Sequence, residues 1–576
     1  MRGTKMRIAA ASMLLCAFAS AGPLRAQDDV VMKAMRDEMN RSMQKLRLEN
    51  LDKPYFISYR VVEQESTGVG AEFGALTHSS QGHSRRFSVE VRVGDYSLDN
   101  TNLLSFDFDF SSMTGIFNGN AELPLDNNYQ ELRRQIWLAT DSSYKKALED
   151  LSRKHAALEN KVDSERIPDF SKESPTTTTM DAAPVRVDRA AWEAQARSLS
   201  GLFRQMPDIY TSSVAFSASN SYIRFLSSEG TSYTRQEPRV TFSARAATQA
   251  SDGTPLDDSM WLYASSLSGL PSPDALAAKV RGLGRRLTDL RSASEVATYN
   301  GPLLVEGDAA PQLFRSVFLT HLLGTRRPLI SSPAFMSQQT NQAENLFLDE
   351  IGARVLPDFL TVVDNPTLAE YKNTPLPGAC KVDDDGVPCR EVLLVDKGIL
   401  QTLLVTRDPV RGMPQSTGSR HAGQVAPSSV FVSAQNGLSE ADLKARFLAM
   451  VKQRNKDYGI VVRRLRNAQH PLLAYKVFPD GHEELIRGAQ LAELNLSSFK
   501  DIVAASEDQN LLTVEFRGQT SLESLISSIS SGDEGYAPVT LAVPSLLFDD
   551  VTVRKVRGER STLPVLSHPY FDHASH

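Results

Sequence analysis

Cysteine is scarce in this chain of 576 residues, which has only Cys16, Cys380 and Cys389. No cysteine framework therefore organises the fold. Past residue 26 no apolar run approaches the roughly 20 residues needed to cross a membrane as a helix. No stripe of Lys and Arg occurs that is dense enough to track a nucleic-acid backbone, and the formal charge of −6 is small for this length, so nucleic acid is not an expected partner. No G-x-S-x-G elbow is present, which removes one route to a nucleophilic serine. Neither an internal repeat nor a heptad run is visible.

What is present is an ordinary globular composition, 41% hydrophobic with both charge signs interspersed. The length predicts two or three domains. The first 26 residues differ: Arg2, Lys5 and Arg7 precede the apolar run IAAASMLLCAFASAG, and Ala26 offers a small residue before Gln27. That layout predicts a secretory signal peptide over 1–26 and an exported, periplasmic or secreted protein with no membrane span after its removal.

In the mature chain Cys380 and Cys389 share the stretch ACKVDDDGVPCRE, with the turn signal Asp385-Gly386 between them. An oxidising compartment favours a disulfide, and closing so short a loop is worth about 2.5–3 kcal/mol on the chain-entropy account. A two-cysteine metal site is the alternative; it needs further ligands, and none stands nearby in the sequence.

Apolar spacing predicts helices over 28–48, about Tyr129–Lys161, 189–204, after the Ser272 cap, 439–454, Leu491–Ser506 and 520–530. In the second of these, Leu132, Ile136, Leu148, Leu151, His155 and Leu158 fall near one face. RRFSVEVRVGDYSLDNT alternates, with Phe87, Val89, Val91 and Val93 on one face and Ser88, Glu90 and Arg92 on the other, a half-buried antiparallel strand. A Thr/Pro-rich loop is expected at about 163–188. GPLLVEGDAAPQLFRSVFLTHLL reads as strand, turn and helix, and mostly β patterns follow it. The reading is α+β with helices inserted between antiparallel sheets, divided into 27–298 and 299–576.

GPLLVEGDAAPQLF, RVLPDFLTVVDNPT, DDDGVPCREVLLVDKGILQTLLVTRD and QSTGSRHAG, in that order, resemble the TldD/PmbA family of metallopeptidase-related proteins. The resemblance runs over most of 299–550, and PYFISYRV with RFSVEVRVGDYSLDNT resembles the exported branch. It implies a two-domain TldD/PmbA-like fold. In zinc-bearing members a helix carries HExxxH and a downstream cysteine completes the site. Zinc bound this way keeps one position for water, whose pKa falls to about 7.

Laid on this sequence, the motif helix is FRSVFLTHLLGTRRP, residues 314–328. Gly324 aligns Thr320 and Thr325 with the two histidines and His321 with the glutamate. The region matching the downstream cysteine, SSISSGDEGYAPVTLAV, has serines. The resemblance therefore implies a degenerate site, no metal in this chain, and zinc in a partner subunit. His321 is expected to be a partly buried helix residue. The family places QSTGSRHAG near the active cavity, which makes Arg420 and His421 candidate substrate-binding residues, Arg420 through a bidentate carboxylate contact. His482 lacks a second histidine at helical spacing, and His568, His573 and His576 lie in a terminal tail. The expected role is the zinc-less, PmbA-like subunit that assembles with a zinc-bearing paralogue, or with itself as a dimer, to degrade peptides or unfolded proteins in the cell envelope. The alternative is a non-catalytic peptide-binding or scaffold protein that keeps the fold.

Overall fold

The computed structural model describes residues 29–104, 120–159, 167–326, 328–330, 345–517, 536–556, 560–566 and 568–571. The leader, the helix expected over 520–530, most of SSISSGDEGYAPVTLAV, and His573 and His576 lie outside them.

Two sheets organise the chain, as the α+β reading expects. The first has seven strands and is built on Pro54–Glu72, flanked by Ala75–Val93 and Thr211–Ser227, with Ser232–Gln249 next to the latter. These long neighbours are all antiparallel. The Thr/Pro-rich stretch contributes a strand rather than loop alone: Thr177–Met180 pairs in parallel with Ser232–Arg235 at the end of the sheet. β-Branched threonines suit that edge position.

Helices cover the first sheet for reasons already in the sequence. Val30–Lys45 starts at Asp29, whose carboxylate accepts from the Val31 N–H at 3.0 Å. Pro273–Ser292 buries Leu276, Val280, Leu283, Leu287 and Leu290, a continuous i, i+3/i+4 stripe, and begins at the Ser272 cap with proline at its first position. The long helix Tyr129–Glu159 buries Leu132, Ile136, Tyr144, Ala147, Leu151 and Lys154. His155 is exposed, against the expectation that it shares that face. One residue earlier, Lys154 enters the interior because Asp169 and the carbonyls of Asp99 and Thr101 receive its ammonium.

The chain enters the second sheet at Ser294–Glu295, which pairs with Ile486–Arg487. This sheet has twelve strands. Its path runs from Ile399–Leu400 through Val392–Asp396, Leu360–Asp364 and Ser429–Ala434 to Ala537–Lys555, then to Tyr299–Val305, Gly459–Asn467 and His470–Val477. Ala537–Lys555 also pairs with Ile502–Phe516. Here the structure corrects the helix expected over Leu491–Ser506: only Leu496–Asp501 is helical, as a 3₁₀ turn capped by Asn495, and Ile502 onward is strand. Tertiary pairing with Ala537–Lys555 overrides the local spacing there. Ser439 caps Glu440–Gln453, which packs Leu443, Phe447 and Val451 on the sheet.

The two halves meet through apolar packing, Leu472 against the Leu276–Leu290 face and Val382 against Ile223, Phe225 and Tyr233, and through buried charge. Arg92, on the face that alternation assigned to solvent, is fully buried between Asp99 at 3.0 Å and Asp408 at 3.1 Å, with its guanidinium 3.6 Å from the Phe170 ring centre. Arg407 covers Phe170 from the other side, 3.8 Å from the ring centre, and reaches Glu229 at 2.7 Å. Buried arginines need such partners, because an uncompensated charge in the interior costs several kcal/mol.

Candidate functional site

A cavity of about 600 Å³ opens between the two sheets. Arg60, Ile223, Arg235 and Glu237 line it from the first half, and Cys380, Asp384, His421 and Glu515 from the second. Met180, on the terminal strand of the first sheet, also faces it.

Two hairpins form the wall on the second-half side. In 380–389 the chain folds back on itself: Asp383 and Cys389 donate N–H bonds of 2.9 Å to the carbonyls of Val387 and Lys381. The turn requires glycine at Gly386, whose φ is +76° and whose missing Cβ leaves room for Thr231. The second hairpin, Arg420–Val425, is stitched to the first by three bonds. Asp384 N–H donates to Arg420 O at 2.8 Å, Arg420 N–H to Asp383 Oδ2 at 3.1 Å, and Gly423 N–H to Asp384 Oδ2 at 3.0 Å.

Asp384 is the electrostatic pivot of this wall. Burial opposes its charge, but Arg60 at 3.0 Å and Arg235 at 2.7 Å outweigh burial and hold the carboxyl well below its usual range. Burial pushes the His421 imidazole down to about 4, with Asp384 opposing and Arg235 adding to the fall. The ring at the cavity wall is therefore neutral near pH 7, and one of its nitrogens is free to accept or ligate.

Of the two candidate substrate residues, the structure brings His421 to the cavity and turns Arg420 elsewhere. The Arg420 guanidinium lies 3.4 Å from Asp385, behind the wall. Cys380 and Cys389 are joined as a disulfide with a Cα–Cα distance of 6.2 Å. The third ligand that the sequence did not offer is His421: a ring nitrogen and both sulfurs lie within 4.8 Å of one another. Linear spacing hides this, because His421 arrives on a separate hairpin. Arg60 and Arg235 were missed too. Each sits in a strand that reads as ordinary alternation, and the cross-sheet geometry is what brings both to Asp384.

The helix aligned with the zinc motif has another occupation. Ala309–Leu313 is α-helical, Phe314–Phe318 widens into a π turn and Leu319–Leu322 tightens to 3₁₀. Phe314 and Phe318 stack at 5.1 Å, and Phe318 meets Phe347 at 5.2 Å and Phe499 at 5.3 Å. His321 is half-buried 5.7 Å from Phe347, burial lowers its pKa, and its Nδ1 has no hydrogen-bond partner. Gly324 is explained by packing, since a Cβ there would lie 2.5 Å from Val405 Cγ1. None of Thr320, His321 and Thr325 lines the cavity. Among the described residues the three belong to no cluster of metal-capable side chains. One imidazole and two hydroxyls do not fit catalytic zinc. His482 is exposed beside Glu484, and His568 lies in the tail against Phe73, so neither supplies a replacement.

Sequence comparison identifies the half that carries this wall. Residues 328–555 match the PmbA/TldA metallopeptidase C-terminal domain. The helix expected over 314–328 ends at Leu322, which leaves Thr325 in extended chain beyond it, and the match to the PmbA/TldA domain begins at 328, past all of Thr320, His321 and Thr325. A metalloprotease of Methanocaldococcus jannaschii is 32% identical over 82 residues, which is 14% of this chain and only 17% of that protein. TldE from Thermococcus kodakarensis shares the fold, with a TM-score of 0.54 at 13% identity over 90% of this chain and all of the other. A protein of Bacteroides thetaiotaomicron, named for modulation of DNA gyrase, superposes with a TM-score of 0.56 at 12% identity, over 91% of this chain and 98% of its own. The fold is thus that of the TldD/TldE-like proteins, and the C-terminal half is related to the PmbA/TldD metallopeptidases.

Proposed function

We propose that this chain is the zinc-less, PmbA-like member of an exported pair. It holds an extended peptide or unfolded segment in the cavity between its sheets, while a TldD-like paralogue with an intact HExxxH helix supplies the zinc that cuts it. The observation that carries this reading is the separation of the two features: a cavity large enough for several residues of peptide, and a motif helix without ligands that packs into the core instead. Thr177–Met180 supports it, since among the described residues this terminal strand leaves one edge unpaired beside the cavity, the geometry of strand addition. The neutral His421 and the Arg60–Asp384–Arg235 group would then orient the bound main chain rather than react with it.

The test is binding and cleavage measured separately. A fluorescently labelled extended peptide should bind the purified chain without being cut, and cutting should begin only when the HExxxH-bearing paralogue is added and should stop with a chelator. Cleavage by this chain alone, or recovery from its native envelope with no such paralogue bound, would overturn the proposal. The second outcome would leave the scaffold reading.

A further inference from the structure

We propose that Cys380, Cys389 and His421 form a redox-gated zinc site on the cavity wall, closed as the disulfide and opened by reduction. The peptide-binding reading lacks zinc only at the helix aligned with HExxxH, and although His421 serves both readings, the metal claim rests on different observations. Its first support is the donor set: two sulfurs and one imidazole nitrogen already lie within 4.8 Å of one another. Tetrahedral zinc, with Zn–S of about 2.3 Å and Zn–N of about 2.0 Å, places its donors roughly 3.4–3.8 Å apart. Only a short opening of the sulfurs separates the disulfide from that arrangement. Thiolate and imidazole together select zinc over harder cations such as calcium or magnesium.

The second support is that the scaffold does not depend on the S–S bond. The first hairpin is closed by its own main-chain bonds, Asp383 to Val387 and Cys389 to Lys381, and by the carboxylate of Asp383. Cys380 is held separately by a 2.9 Å bond from its N–H to Pro366 O. The second hairpin is fixed to the first through Asp383 and Asp384. Reduction therefore releases the sulfurs without releasing the loops that carry them. Asp384 and Glu237 lend negative potential at His421, and Arg235 opposes it.

The third support is access. Cys380 and His421 both line the cavity, so an ion can enter there, and three protein ligands leave a fourth position for water or for a group bound in the cavity. The chemistry balances. A dithiol reductant gives two electrons and two protons to the disulfide, leaving two thiols and an oxidised dithiol. Zinc then displaces one proton from each thiol and takes the neutral imidazole.

The untagged full chain, reduced with dithiothreitol and desalted without oxygen, is titrated with Co²⁺ and then with Zn²⁺. One equivalent of cobalt should bind with a thiolate-to-cobalt charge-transfer band, which zinc abolishes. The oxidised chain should show no such band, and a band of this kind separates the site from imidazoles of the C-terminal tail. His421→Gln, which keeps both cysteines and whose fold is checked by circular dichroism, should lose at least about 10–100-fold in cobalt affinity. Absence of the band in the reduced wild type, or a His421→Gln variant with wild-type spectrum and affinity, overturns the proposal. Loss of peptide binding leaves this result untouched, so the two readings fail separately.

Discussion

Asp364 shows how one residue sets a pH dependence. It is fully buried and accepts N–H bonds from Ser428 at 3.0 Å and Ser429 at 2.8 Å. Burial nevertheless pushes it up from 3.8 to about 7. An acid whose folded pKa is raised binds its proton more tightly in the folded state. Its contribution is therefore fully present below about 4 and is lost as pH rises towards 7, by a few kcal/mol at about 1.4 kcal/mol per unit. Asp364→Asn should flatten that slope and gain stability at pH 8 relative to wild type, read as the urea midpoint at pH 5 and pH 8. Asp384 works in the opposite sense, because its charged form carries the buried ion pairs to Arg60 and Arg235. Asp384→Ala should cost about 3–5 kcal/mol, measured by the same unfolding curves at pH 7.

At the scale of elements, the helix from Ala309 to Leu322 is held by its aromatic side. Phe318 is fully buried among Phe314, Phe347 and Phe499, so Phe318→Ala should cost about 3–5 kcal/mol in chemical denaturation. Gly324→Ala must displace Val405 and should cost about 1–3 kcal/mol, with no change in metal content by elemental analysis. Strand–turn–helix over Tyr299–Leu322 was legible because local propensity and burial agree there. The Ser272 cap was legible for the same reason. Leu496–Phe516 was not, because its partner strand lies further along the chain. Arg92, Arg60 and Arg235 were illegible as site or core residues, since a strand's polar face is read as solvent until another domain covers it. His421 was singled out by resemblance, but its nearness to the two cysteines is a property of two hairpins and of no window of sequence.

The whole molecule is held across its middle by ion pairs on either side of Phe170. Arg407→Met leaves Glu229 without its buried partner and should loosen the docking of the halves before either sheet melts. Calorimetry should then resolve two transitions where the wild type shows greater cooperativity, and the peptide binding proposed for the cavity should weaken in step with the first transition.

The last long strand has a consequence for how the protein is made. Ala537–Lys555 lies between Ser429–Ala434 and Tyr299–Val305, so it joins the two wings of the twelve-stranded sheet. Its partner Val305 leaves the ribosome roughly 240 residues earlier, tens of seconds at about 5–20 residues per second. Throughout that interval the wings have no common strand. The first half can complete its sheet during synthesis, whereas the second must wait for Ala537–Lys555.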